Sequence, residues 1–342
     1  MKKGLISVIL STFNTDDNQL LLSVESILRQ TYQKLELIII IDGGTVNKCL
    51  NTISDKRVKI VKHTKSLGLA ARLNEAISLA EGECIARMDS DDYALPDRIE
   101  KQYAFMKTNP EIDICSMFAK NFGNSAKARV SACTSDDYIQ SELFLNCILV
   151  HPTIMFRSKS IKKHDIRYNT NFRCAQDFGL WSSLVQKCRF ATLPEIGLFY
   201  RVHNKQTTVG KKKEQEHNRE IIIQKNIERL GFDEANLKYV EMIQKTASRE
   251  NLKEACNFIR ECVAKNKERQ IYNEKAFERV LYRHLFTTLL KNRHYCLCCR
   301  IMRPYDILFV FRVVSLTIKS NLKVLKYRKL YNSLLKEKRN AK

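Results

Sequence analysis

The sequence predicts an α/β fold built on a mostly parallel sheet, and three observations carry that prediction. Strand and helix signals alternate through the first hundred residues, the strand signals are short runs apolar on both faces, and each run ends in a polar cluster. A strand buried by helices on both sides needs a continuous apolar run rather than an alternating one.

Ile6 to Leu10 is the first such run, rich in β-branched residues. Residues 17–30 then follow a helical period, with Leu20, Leu21, Val24, Ile27 and Leu28 on one face and Asp16 or Asp17 placed to cap it. Leu37 to Ile41 is the second strand, stopped by the turn signal Asp42-Gly43-Gly44-Thr45, and Val58 to Val61 is the third. Residues 69–80 read as a helix through Leu69, Leu73, Ala76, Ile77 and Ala80; Glu81-Gly82 ends it, and Cys84 to Met88 is the fourth strand. Beyond Pro96 a helix is expected over 97–107. Residues 111–160 mix short apolar runs with polar loops, 171–205 are dense in aromatic and charged residues, and helices rich in Lys, Arg and Glu follow from Lys211.

In a parallel sheet ligands bind outside the carboxyl ends of the strands. Ser11-Thr12-Phe13-Asn14, Asp42-Gly43-Gly44 and Asp89-Ser90-Asp91 sit at those ends, far apart in sequence and convergent in space, or else form three unrelated solvated turns. The last cluster closes the run Ala86-Arg87-Met88 with three carboxylates in four residues, Asp92 being the third. Carboxylates this close repel one another, and a fold retains them where a cation sits among them. Mg²⁺ or Mn²⁺ shared with a diphosphate is the usual partner.

Charge adds a second theme. The net charge is +22, and residues 211–342 carry +16 of it. Twelve scattered cysteines, many in apolar runs, and a start without a secretory pattern read as reduced thiols in a cytoplasmic setting. Cys296-Leu297-Cys298-Cys299 lacks the paired spacing of a zinc site. The apolar stretch Ile307 to Ile318 is too short to span a bilayer and contains Arg312.

Several further motifs complete a series that resembles the family 2 glycosyltransferases, whose catalytic domain has the GT-A fold. They are Ser26 to Tyr32, Gly68 to Asn74, Leu95-Pro96-Asp97-Arg98, His151-Pro152-Thr153, Gln176-Asp177-Phe178-Gly179-Leu180-Trp181 and Tyr200-Arg201-Val202-His203. The resemblance covers residues 5–205 and implies a catalytic domain over 1–210, with a nucleotide-sugar half to residue 110 and an acceptor half from 111. A basic helical region over 211–342 follows it. It implies that Asp91 holds a Mn²⁺ or Mg²⁺ ion, with Asp89 on the metal or on the ribose. Ser11, Phe13 and Asn14 would line the nucleotide, Asp42 would accept a hydrogen bond from the base, and Arg72 would lie beside it. Phe13 stands where the family usually has Tyr.

The resemblance also makes Asp177 the general base for the acceptor hydroxyl, with Gln176 in place of the usual Glu; a helix-capping role for Asp177 is the other reading. His203 would reach the diphosphate or the metal. Trp181 either stacks on an acceptor sugar or packs in the core, and His151 reads as a turn residue. One base without a covalent nucleophile implies inversion of the anomeric configuration.

The expected partners are a UDP- or dTDP-type nucleotide sugar and a saccharide acceptor, lipid-linked, in surface polysaccharide synthesis. From Lys319 the tail has nine Lys or Arg against Glu337, with leucines interleaved. That pattern suits an anionic membrane surface at the inner face of the cytoplasmic membrane, or a helical extension packed on the catalytic domain. Nucleic acid is not expected, because the charge lies outside the sheet domain. A nucleotidyltransferase is disfavoured by the lack of a Gly-rich basic loop after the first strand. A non-catalytic nucleotide-sugar binder or scaffold of the same fold is the remaining alternative, and such a protein needs no base.

Overall fold

In the computed structural model, which describes residues 1–44, 47–203 and 211–296 with the single positions 315, 327 and 332, the predicted alternation takes shape as a layered α/β unit. Strand β1 (Lys2–Thr12) is followed by α1 (Asp17–Leu28), β2 (Leu35–Asp42), β3 (Val58–His63), α2 (Leu69–Leu79) and β4 (Gly82–Asp89). These four strands pair in parallel in the order β3-β2-β1-β4. Asp16, not Asp17, caps α1: its carboxylate accepts the N–H groups of Asn18 and Gln19 at 3.0 and 3.2 Å. Asp17 instead accepts a 2.7 Å bond from Asn47 Nδ2.

The double-sided apolar runs have a direct cause. Ile38 and Ile40 enter the core under α2, while Leu37, Ile39 and Ile41 enter the core that α1 covers, so the strand is buried on both faces.

The sheet continues past β4 with mixed polarity. Short β5 (Tyr93–Ala94) leads to α3 (Arg98–Thr108), β6 (Ile114–Gly123), β7 (Ala128–Arg129) and α4 (Asp136–Glu142). Then come β8 (Met155–Arg157), α5 (Ser158–His164), α6 (Gln176–Ser183) and the long β9 (Phe190–Val202). Beyond β4 the order is β8-β6-β9-β5, with β8 antiparallel to β4 and β6, and β9 parallel to β6. Strand β9 therefore ends beside the turn that follows β4.

The C-terminal helices are α7 (Lys212–Arg229), α8 (Leu237–Glu241), α9 (Leu252–Arg269) and α10 (Glu274–Lys291). Ile222, Ile227, Phe258, Phe277 and Leu285 from these helices share one core with Phe144, Phe178 and Trp181 of the sheet domain. The described C-terminal helices are thus packed on the sheet domain. Of the cluster Cys296-Leu297-Cys298-Cys299 only the first residue is described, and nearly all of the tail beyond it lies outside the described residues. Tyr327 is an exception and packs on the cluster of Leu95, Phe118 and Phe122. Among the described residues the cysteines are free thiols, and no helix is long and apolar enough to cross a membrane.

Candidate active site

Parallel register places Ser11 of β1 beside Ile40 of β2 and Asp89 of β4, so three strand ends reach the same edge of the sheet. A cleft of about 1510 Å³ opens there. Ser11, Phe13, Asn14, Asp42, Asp89, Asp91, Asp177 and His203 all line it, so it gathers the predicted residues with one exception, Arg72.

The turn after β2 is a closed electrostatic unit. Asp42 is 3% exposed. Its Oδ1 accepts the Leu67 N–H at 2.8 Å and Arg72 Nε at 2.6 Å, while Oδ2 accepts Ser66 Oγ and the Gly68 N–H, both at 2.8 Å. Burial pushes the carboxyl upward, but these hydrogen bonds win and hold it below the ordinary carboxylate value. The resemblance places Arg72 beside the nucleotide. Its guanidinium is buried instead, donating to Asp42, to Glu75 at 3.1 Å and to the Lys65 carbonyl at 2.7 Å. Asp42, expected to take a bond from the base, has its four lone-pair positions filled by protein donors. Both residues shape the 65–68 loop. Beside it, Phe13 is 54% exposed, with a free ring face at the cleft. Asn14 takes a left-handed backbone (φ 51°) against Gly44, where a Cβ would lie 2.3 Å from Asn14 Oδ1.

The turn after β4 is built differently. Ser90 Oγ bonds Thr15 Oγ1 at 2.7 Å, and Ser23 Oγ donates to the Asp89 carbonyl at 2.7 Å, fixing the turn to β1 and α1. Arg87, two residues earlier on the same strand face, makes a two-pronged ion pair with Asp89. From the end of β9, Arg201 donates its N–H to Asp92 Oδ1 at 2.8 Å and its Nε to the Asp91 carbonyl at 2.7 Å. His203 Nε2 lies 3.0 Å from Asp91 Oδ2.

Oxygens of Asp89, Asp91 and Asp92 lie within 4.8 Å of one another. Asp92 is 1% exposed, and its Oδ2 has no hydrogen-bond partner among the described residues. Burial, with Asp91 and Asp89 adding to it, pushes the Asp92 carboxyl well up; burial also raises Asp89 despite Arg87. A buried carboxylate oxygen without a donor, in an all-oxygen cluster, fits a hard divalent cation.

Across the cleft, Asp177 lies in the first turn of α6, whose cap is Ala175 in the left-handed region (φ 57°). Asp177 is therefore inside the helix rather than its cap. Its Oδ1 accepts the Phe178 N–H at 2.8 Å, and Oδ2 meets the Cys147 thiol at 3.9 Å. Burial is the largest influence and raises the Asp177 carboxyl. Trp181 is fully buried, 5.6 Å from the Phe156 ring, and is a core residue. His151 sits in a 3₁₀ turn, bonded to the Tyr168 hydroxyl at 2.8 Å and held well below its usual pKa by burial.

Sequence reasoning assigns no role to Arg87, Asp92, Arg201 or Arg219. A charged Arg87 inside a run apolar on both faces is the visible signal for the first; Asp92 stands in the acidic triplet without an assignment. Nothing in sequence spacing links Arg201 or Arg219 to residues more than seventy positions away.

The family model described as "Glycosyl transferase family 2" matches residues 7–174. An uncharacterized glycosyltransferase of Methanocaldococcus jannaschii is 32% identical over 63% of this chain and 77% of its own length. The O-antigen biosynthesis glycosyltransferase WbnJ of Escherichia coli is 36% identical over 59% of this chain and 82% of its own length. A third relative is the E. coli UDP-Glc:alpha-D-GlcNAc-diphosphoundecaprenol beta-1,3-glucosyltransferase WfaP, 27% identical over 61% of this chain and 82% of its own. Among solved structures, S. aureus TarS 1–349 in complex with UDP-GlcNAc superposes with a TM-score of 0.53 at 16% identity, covering 81% of this chain and 90% of that one, a likeness of fold. With the motif series gathered in one cleft, a GT-A-like sheet and these relatives, the chain belongs to the family 2 glycosyltransferases.

Proposed function

We propose that the enzyme moves a sugar from a UDP- or dTDP-type donor to a lipid-linked saccharide acceptor during surface polysaccharide synthesis, with inversion at the anomeric carbon. The observation that carries this reading is the pairing, across one cleft, of the acidic cluster Asp89-Asp91-Asp92 with the isolated carboxylate of Asp177. A non-catalytic binder has no use for the second.

Phe13 offers its ring face to the base, and Asp42 and Leu69, which flank the 65–68 loop held by Asp42 and Arg72, line the same cleft. Asp91 and Asp92, with Asp89, would hold Mn²⁺ or Mg²⁺, which when bound offsets the charge that builds on the departing diphosphate. His203 on Asp91 adds a polar group at that point. Asp177 receives the acceptor's proton as the hydroxyl attacks. Its Oδ2 is the oxygen suited to this, because Oδ1 is tied to the Phe178 N–H. The raised carboxyl makes it a stronger base than an exposed aspartate. With one base and, among the described residues, no nucleophile placed to form a covalent intermediate, attack on the face opposite the leaving group inverts the centre.

Support for the acceptor class comes from the O-antigen relative and from the relative whose name specifies a diphosphoundecaprenol acceptor. We place the reaction at the cytoplasmic face of the membrane, with the basic tail of the 211–342 region on anionic lipid and residues 1–210 as the catalytic domain.

The test is hydrolysis of a nucleotide-sugar panel with Mn²⁺ or EDTA, followed by NMR of the transfer product. Metal-dependent release of one nucleoside diphosphate, lost in Asp91→Ala, and a product of inverted configuration are expected. Retention, or release that survives EDTA, contradicts the proposal.

A further inference from the structure

Helix α7 lies beyond the matched family region, yet Gln215, Glu216 and Arg219 line the cleft. The helix is bound to the segments that carry the base. Asn218 Nδ2 donates to the Cys174 carbonyl at 3.0 Å, just before α6. Arg219 Nη2 donates to the Leu145 carbonyl at 2.8 Å, in the loop that brings Cys147 to Asp177. Arg219 therefore belongs to the wall that holds Asp177, which is the acceptor side.

Three arginines line the cleft, and two are engaged. Arg87 is paired with Asp89, and Arg129 donates to Asn121 at 2.8 Å while lying 4.1 Å over the Tyr200 ring. Among the described residues Arg219, like Arg129, has no carboxylate partner, but Arg219 is half-buried where Arg129 is exposed. Arg219 Nη2 also donates to Gln244 Oε1 at 2.6 Å, so both its partners are uncharged. Among the described residues Nε and Nη1 have no acceptor and no carboxylate forms an ion pair with the guanidinium; the neighbouring Glu216 is paired with Lys245 at 2.5 Å. Glu216 and, more weakly, Glu220 act on the guanidinium only through space, and burial outweighs both. A half-buried guanidinium with two open N–H directions calls for an anion, and phosphate oxygens match its fork. A cation held by the acidic cluster would supply the counter-charge for the donor's diphosphate, so a second anion is indicated at Arg219.

We propose that Arg219 forms an anion subsite at the acceptor end of the cleft, taking the phosphate or diphosphate ester that joins a saccharide acceptor to its carrier. The inference rests on the glycosyltransferase reading of the cleft and adds the residue that selects the acceptor's linker.

The test is calorimetry on the full chain loaded with UDP and Mg²⁺, titrated with citronellyl diphosphate and, separately, with inorganic phosphate. Citronellyl diphosphate should bind the wild type, weaken about tenfold in Arg219→Gln, which keeps a donor for Leu145, and be largely retained in Arg219→Lys. The proposal is overturned if the wild type does not bind it, if Arg219→Gln binds it as the wild type does, or if inorganic phosphate binds equally well through Arg219, which would mark a free-phosphate site. Thermal melts of both variants separate a lost contact from a lost fold. Failure of UDP to bind in the first injections would count against the donor site instead, and the same titrations without UDP still report on Arg219.

Discussion

Asp42 ends β2 and Asp92 follows β4, the two strands that flank β1; both are nearly inaccessible, and they are opposites in chemistry. Asp42 has four protein donors, one of them the buried Arg72 guanidinium. Asp92 has one backbone N–H, two neighbouring carboxylates and, among the described residues, an oxygen with no partner. The first charge is neutralised by the fold. The second is held in place by the fold with a single donor, and burial with its acidic neighbours disfavours its charged form. Burial alone therefore does not separate the two carboxylates, whereas the count of donors around each does.

The comparison predicts that catalysis and stability separate by site. The largest effect is expected at Asp177: replacing it by Asn should lower kcat by roughly 10²–10⁴-fold while UDP affinity in calorimetry stays near wild type. Equal loss of UDP binding would place Asp177 in the donor site and break the division.

Next is Arg72→Ala, which leaves Asp42 buried without its cation and should cost about 3–5 kcal/mol in denaturant unfolding. If Arg72→Ala is as stable as the wild type and loses only UDP affinity, the guanidinium serves the nucleotide after all. Smaller still is Asp92→Asn. Removing a buried carboxyl with an unpartnered oxygen should leave the metal-free protein as stable or more stable, by on the order of 1 kcal/mol, and abolish the rise in Tm expected when Mn²⁺ is added to the wild type. Destabilisation like that of Arg72→Ala would make Asp92 a second structural acid.

The pH dependence sharpens the same contrast. The Asp42 carboxyl is lowered from 3.8, so its contribution is fully present above that value and is lost as pH falls through the lower, folded one. Acid unfolding should therefore begin at higher pH in Arg72→Ala. The Asp177 carboxyl is raised from 3.8, and a base must be deprotonated to act. The acid limb of kcat/KM should accordingly lie above the ordinary aspartate value, and a limb at or below it would contradict the burial of this group.

Much of the fold was legible because burial on two faces leaves its mark on every residue of a strand: Leu37 to Ile41 is apolar throughout, and both neighbouring cores use it. The strand ends were legible for the same reason, since polar clusters that interrupt such runs have to lie at the sheet's edge. The partners of those clusters were not. Nothing in the spacing of Asp42 and Arg72 says that the guanidinium turns inward to the loop instead of outward to a ligand, because that depends on where residues 65–68 place their N–H groups. Trp181 offered two readings that only packing against Phe156 and His151 could separate. The contribution of α7 was hidden because a helix's surface residues look alike in sequence until a neighbouring loop gives one of them a cleft to face.

The most direct test of the central claim, that the acidic cluster is a donor site completed by a cation, is a calorimetric titration of UDP into the wild-type protein with Mn²⁺ and again with EDTA. The account predicts binding with the metal and its loss in EDTA. Binding of equal strength in both conditions would mean that Asp89, Asp91 and Asp92 need no cation to receive the nucleotide, and the distinction between the two buried aspartates would lose its functional meaning.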